Sequence, residues 1–338
     1  MTDRKELVPQ TGARVVAKQV TRGIGCYGVL TTLGAAFSVD LFIEGMAGAL
    51  QFFVLLVFVA GAARMIWLWR YRPKLRIKDL GETTDELVRS GVRYCLILRA
   101  FGSDGYILVR SSRRRRSVSL GGMKVMSTME QIVNRAWFDT SACETYAVVA
   151  PHLFLAPGGP VYMKANDNWM QPVEKLIEQA HSVVLIIPPR QEIRASSWWE
   201  IRKVVETQRL ERLTVVIPPY DQKRGGYPKA RRELCKIMTV LEDPLCLAGL
   251  PDGSDPQISE DRVAFYDEKL PPRMLGVHFF RNEQLSYEPS DEGPVRPHFS
   301  YVATVEKTFL LRRRRKVTEF SYRELLLSAF ESDGREGR

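Results

Sequence analysis

Two short apolar runs that end in the same double proline, 182–189 (SVVLIIPP) and 213–219 (LTVVIPP), restrict what this chain can fold into more than any other feature. From Val183 to Ile187 there is no polar side chain, which suits a strand covered on both faces, and the prolines stop it. Before the first run, Pro172 stands near the start of a helix whose Val173, Leu176, Ile177 and Ala180 share one face, and His181 ends it. Between the runs, Ser197-Trp198-Trp199-Glu200 opens a second helix through Ile201, Val204 and Val205, with Ser197 and Glu200 at capping-box spacing. Two strands joined by a helix are parallel and connected right-handedly. The stretch 169–219 therefore reads as the middle of a parallel sheet.

The same logic extends in both directions. Residues 83–86 have the capping-box pattern of a short helix that Gly91 ends. A strand is predicted over 94–101 (YCLILRAF), followed by the loop Gly102-Ser103-Asp104-Gly105. In open parallel sheets ligands bind beyond the carboxyl ends of the strands, so Phe101, Ser103 and Asp104 lie where a site is expected. Ser, Asp and Gly also occur in turns for backbone reasons alone, and both readings stand. Residues 127–139 read as an amphipathic helix with a Ser127/Glu130 capping box, 146–150 as a strand, and 151–163 as a loop. Past 219 the pattern gives a helix over 228–241 and an irregular segment over 243–261. A hairpin of 275–280 with 284–287, a helix over 297–312 and a last short helix over 321–330 follow.

The N-terminal region differs from this globular pattern. Residues 23–39 and 45–63 carry no charge, and each is close to the roughly 20 apolar residues that a membrane span needs. The second run continues into Met65-Ile66-Trp67-Leu68-Trp69, which supplies aromatic residues at its end. Lys and Arg flank the pair on both sides and are missing from the connecting loop, which holds Asp40 and Glu44. The expectation is a transmembrane helical hairpin in the inner (plasma) membrane, with both termini and the remaining domain cytosolic. Five cysteines without a CxxC pair and four histidines without ligand spacing then suggest neither a disulfide framework nor a structural zinc site.

The net charge of +10 is partly explained by those flanks. Two further basic runs, 113–116 and 312–316, read first as solvated surface and second as contacts to anionic lipid headgroups. Neither is interleaved with aromatic residues, so specific nucleic-acid binding is not expected.

The ordering of RYCLILRAFGSDG, the helix leading into VVLIIPP, and SSWWEIRKVV followed by LTVVIPP resembles a TIR or TIR-like domain over about 93–220. The resemblance implies a flavodoxin-like parallel sheet, self-association into homo-oligomers and, as in many bacterial members, cleavage of NAD at the nicotinamide glycosidic bond. It also extends to the nucleoside deoxyribosyltransferases of the same superfamily. By this resemblance Glu200 is the matching catalytic carboxylate; Phe101, Ser103 and Asp104, from their place at the strand's carboxyl end, and Trp198, as an aromatic beside Glu200, are the candidate substrate-binding residues. One carboxylate can stabilise an oxocarbenium-like state while aromatic side chains hold the base. The capping-box spacing offers a structural role for the same Glu200.

The sequence thus predicts an α/β protein in which an N-terminal transmembrane hairpin precedes a flavodoxin-like, TIR-like domain with C-terminal additions. The segments are a basic tail at 1–22, the hairpin at 23–69 and a linker with a short helix at 70–92. The TIR-like domain at 93–220, its extension at 221–316, and a short helix with a polar tail at 317–338 complete the chain. Its expected function is cleavage of the N-glycosidic bond of NAD, as substrate and not cofactor, or of a related nucleotide, in bacterial defence. The alternative is a non-catalytic oligomerising scaffold or membrane-disrupting effector.

Overall fold

The computed structural model describes residues 59, 76–99, 107–110, 126–149, 155, 158–165, 167–188, 192–207, 209–219, 226–242, 256–281, 299–305 and 319–333. These residues form β1 (Ile77–Asp79), α1 (Leu80–Ser90), β2 (Cys95–Arg99), β3 (Leu108–Arg110), β4 (Met126–Thr128), α2 (Met129–Ser141), β5 (Thr145–Val149) and β6 (Val161–Lys164). There follow α3 (Met170–Gln179), β7 (Ser182–Ile186), α4 (Ala195–Glu206), β8 (Leu213–Val216), α5 (Gly226–Glu242), α6 (Glu260–Lys269), β9 (Met274–Arg281), β10 (Phe299–Val305) and α7 (Glu319–Asp333).

One sheet organises the chain, in the order β1-β6-β5-β2-β7-β8-β9-β10 among the described residues. Its first six strands are parallel and β9 and β10 are antiparallel. β2, β5 and β7 are buried at every position, as suits mainly apolar strands covered on both faces, with Arg99, Thr145 and Ser182 as the polar residues at their ends. One face carries α1, α3, α4, α5 and α6, and the other carries α2 and α7. Connections toward the β10 edge use the first face and the connection from β2 to β5, toward the β1 edge, uses the second. That is the arrangement right-handed crossovers require.

The strand order corrects one expectation. Numbering β2, β5, β6, β7 and β8 as the five strands of the parallel core gives 3-2-1-4-5, whereas a flavodoxin-like sheet runs 2-1-3-4-5. The physical cause is β6, which lies in the segment expected to be a loop. It begins directly after Pro160, is four residues long, and earns its place by pairing with β5 on one side and β1 on the other.

A second correction concerns the membrane. Among the described residues no helix is long and apolar enough to cross one. The longest, α5, has 17 residues and carries a charged face through Lys229, Arg231, Arg232 and Lys236, short of the roughly 20 apolar residues of a span. This overturns the expected transmembrane fold class and the multi-pass inner-membrane location. The expected hairpin at 23–69 lies outside the described residues apart from Val59, as do both arginine runs.

Several boundaries moved for identifiable reasons. α1 begins at Leu80, three residues before the expected box, because Asp79 accepts from the Glu82 N–H at 3.1 Å. Gly91 ends it in the left-handed region at φ 60°, as expected. α2 is capped by Thr128 and Gln131, one residue later than the expected Ser127 and Glu130. The expected helix over 297–312 is instead β10, whose aromatic and β-branched residues pair with β9 in register Tyr301↔Phe279. α6 begins at the end of the segment 243–261 expected to be irregular, where Ser259 caps it, and continues through residues for which no element was expected.

Candidate functional site

In a 3-2-1-4-5 sheet the chain reverses direction of travel between its first and fourth strands, and the crevice for a ligand opens at the carboxyl ends of that pair. Here the pair is β2 and β7, hydrogen-bonded neighbours with Arg99 opposite Ile186 at their carboxyl ends. The loop after β2 and helix α4 after β7 therefore leave the sheet side by side. The sequence places Phe101, Ser103 and Asp104 in that loop, but all three lie outside the described residues.

Glu200 and Trp198 are described, and the expected capping box is not formed. α4 starts at Ala195 with Arg194 as an N-cap residue that makes no side-chain capping bond. Ser197 and Glu200 accordingly sit inside the helix and form no capping box, and the Ser197 hydroxyl has no hydrogen-bond partner among the described residues. Glu200 occupies the second turn and is 2 % exposed. Trp198, 4 % exposed, is part of the hydrophobic core. The neighbouring Trp199 packs edge-on against Trp169, with ring centroids 5.2 Å apart.

Three buried charges hold the same edge: Arg99 and Glu233, which the sequence reading did not single out, and Glu130, which it took for a capping residue. Arg99, the last residue of β2, alternates with Cys95 and Ile97 and so faces α2. Its Nη1 lies 3.5 Å from Glu130 Oε1 in the first turn of α2, with side-chain exposures of 1 % and 0 %. The guanidinium also lies 5.8 Å from the Tyr162 ring centroid. A carboxylate in a first turn gains from the positive end of the helix, which helps offset the cost of burying the pair. On the opposite face, Glu233 of α5 accepts the Ile193 N–H at 3.0 Å and the Lys236 ammonium at 2.8 Å, tying down the segment that leads into α4. The visible signal for these residues is a charge set among apolar neighbours, such as Glu130 between Met129 and Ile132 and Glu233 beside Leu234.

Away from this edge, the carboxyl half of α4 borders a charged cleft lined by Glu174, Glu178, Lys203, Glu206, Thr207 and Arg209. Hydrogen bonds from Lys203 to Glu174 and Glu206 raise the lysine pKa and link α3 to α4. Three carboxylates face two cations there, with Lys203 paired to two of them, and the cleft lies at the amino edge of the sheet, away from the switch point. Compared with protein-family models, with curated proteins and with solved structures, the chain matches none.

Proposed function

We propose that this protein binds NAD or a related nucleotide at the β2/β7 switch point and cleaves its N-glycosidic bond, with Glu200 as the catalytic carboxylate. The observation that carries the reading is the position of Glu200. It is a buried acid in the second turn of the helix that leaves the sheet at the crevice. The resemblance of the SSWWEIRKVV segment to TIR-like domains supports the same residue. In the reaction the bond between ribose C1′ and the base nitrogen breaks, and its electron pair leaves with the base. The carboxylate stabilises the positive charge that develops on the ribose, and water adds to C1′ and releases a proton. Because Glu200 is 2 % exposed, contact with substrate requires displacement of whatever covers it. Binding is tested by isothermal titration of the full chain with NAD, nicotinamide mononucleotide and ADP-ribose. Saturable binding that Glu200→Gln retains supports the reading, and no binding of any of the three contradicts it.

A second reading has one observation in its favour. Glu200 and Trp198 are both sealed from solvent, as expected of a non-catalytic module in which the same helix serves only as packing. Under that reading the three ligands leave the protein unchanged.

A further inference from the structure

We infer that the amino edge of the sheet, at the opposite end of the strands from the switch point, holds an anion site in which Arg93, His181 and Arg212 take a phosphate group. The inference goes beyond the proposed catalysis and does not depend on it. The three residues stand at the entries of β2, β7 and β8, which are adjacent strands of the parallel core. Backbone pairing sets their spacing: the His181 N–H donates to the Tyr94 carbonyl oxygen at 3.0 Å, and the strands run in register Cys95↔Ser182 and Val183↔Leu213. Neighbouring strands lie about 5 Å apart, so the three side chains start within reach of one small ligand. They then converge. Arg93 Nη2 donates to His181 Nε2, and because a guanidinium only donates, the neutral ring carries its proton on Nδ1. Arg212 Nη1 donates to the Ala180 carbonyl oxygen at 3.0 Å, which holds its guanidinium beside the same histidine. Trp137 of α2 backs the imidazole, with ring centroids 5.9 Å apart.

The charges gathered here select the ligand. Burial first, and then the charges of Arg93 and Arg212, push the His181 imidazole down to about 4, so the ring stays neutral between two guanidinium groups. The carboxylates closest in sequence to these strand entries, Glu144, Glu178 and Glu211, are not among the charges that act on it, and Glu144 pairs with Arg76. In the same neighbourhood Trp137 Nε1 and Ser182 Oγ are buried and have no hydrogen-bond partner among the described residues. A gathering of donors and positive charge suits an anion, and guanidinium groups bind phosphate oxygens through paired, charge-assisted hydrogen bonds. Arg93 is exposed while His181 and Arg212 are half-buried, so phosphate can enter from solvent and still be held where its attraction to the guanidiniums is only partly screened. The shared chemistry is that of a phosphate monoester or inorganic phosphate, whether free in solution or carried on a lipid headgroup.

The test is isothermal titration of the full chain with inorganic phosphate at constant ionic strength, with NMR of the histidine rings to locate the site. The wild type is expected to bind phosphate saturably and to shift the His181 ring resonances, which are assigned by their loss in His181→Gln. Arg93→Gln changes an exposed side chain, so the melting temperature holds while the dissociation constant rises at least about tenfold, or 1.4 kcal/mol. Lys229→Gln, which removes one exposed charge from α5, leaves that constant unchanged. Phosphatidylcholine vesicles with and without phosphatidic acid separate the two sources of the group. Arg93-dependent binding to the acidic vesicles assigns a headgroup, and phosphate binding without vesicle binding assigns a ligand free in solution. No saturable binding of phosphate, or binding that Arg93→Gln retains and that leaves the His181 resonances in place, would overturn the inference. Phosphate held at the switch point would give the second of these results, so this site and the proposed catalytic site fail separately.

Discussion

Arg99 and Glu130 show how much a single pair of residues can commit a fold to. Two charges with side-chain exposures of 1 % and 0 % are tolerated in part because each compensates the other. Arg99→Met, which strands a buried carboxylate, is therefore expected to cost about 3–5 kcal/mol in urea unfolding. The double variant Arg99→Met/Glu130→Leu should recover most of that loss, since it removes both desolvation penalties. A double variant no more stable than the single would show that the pair is not the dominant interaction of either group. Histidine gives the residue-scale pH dependence. Burial pushes the His278 imidazole from its ordinary 6.5 down to about 4, partly countered by a backbone hydrogen bond at Leu213, and the Thr214 hydroxyl lies 3.4 Å from its Nδ1. His181 is lowered to about 4 as well, by burial first and then by the charges of Arg93 and Arg212. In both cases the unfolded chain takes up a proton that the folded chain refuses, so stability is complete above pH 6.5 and declines as pH falls toward 4. His278→Gln should flatten that slope in a series of melts between these two pH values. An unchanged slope would mean that other groups set it.

At the scale of elements, packing decides what propensity leaves open. Gly276 of β9 has no room for a side chain: an added Cβ would lie 2.5 Å from the Val215 carbonyl oxygen and 2.7 Å from Leu325 Cδ2 of α7. Gly276→Ala must push β8 and α7 away from β9. It is expected to destabilise by about 1–3 kcal/mol or more, read as a fall in the urea midpoint without a change of slope. At α2, Thr128→Ala should cost about 1 kcal/mol, because Thr128 is the residue that accepts the Gln131 N–H. The central strands were legible in the sequence because SVVLI and LTVV need cover on both faces whatever surrounds them. β6 and β10 were not, since their identity depends on partners far along the chain. VYMK becomes a strand only between β1 and β5, and FSYVATV only beside β9. Cap positions slipped by a few residues because Ser, Thr and Asp near a helix start compete for one role. Side-chain geometry at Asp79 and Thr128 settles that competition.

For the whole molecule, the parallel α/β class was legible in the alternation of helices and buried strands, while strand order and membrane placement were not. Order depends on where the missed β6 inserts, and its place beyond β5 leaves β2 and β7 as the neighbours that flank the switch point. Apolar length alone suggested the transmembrane hairpin, and among the described residues no helix meets that requirement. The site was legible only in outline. Glu200 stood out through its surroundings in SSWWEIRKVV, whereas the charges that brace the same edge, Arg99, Glu130 and Glu233, become meaningful only once their partners are seen. The central claim is that Glu200 at this switch point performs glycosidic cleavage, and the most direct measurement of it is nicotinamide release from NAD by the purified full chain and by Glu200→Gln. Glutamine keeps the shape of a side chain that is 2 % exposed, so the variant should melt within a degree or two of the wild type. Without the negative charge its turnover should fall by about a hundredfold or more, equivalent to roughly 2.7 kcal/mol of transition-state stabilisation. A folded Glu200→Gln protein that releases nicotinamide at the wild-type rate, or a wild type that releases none, would contradict the account.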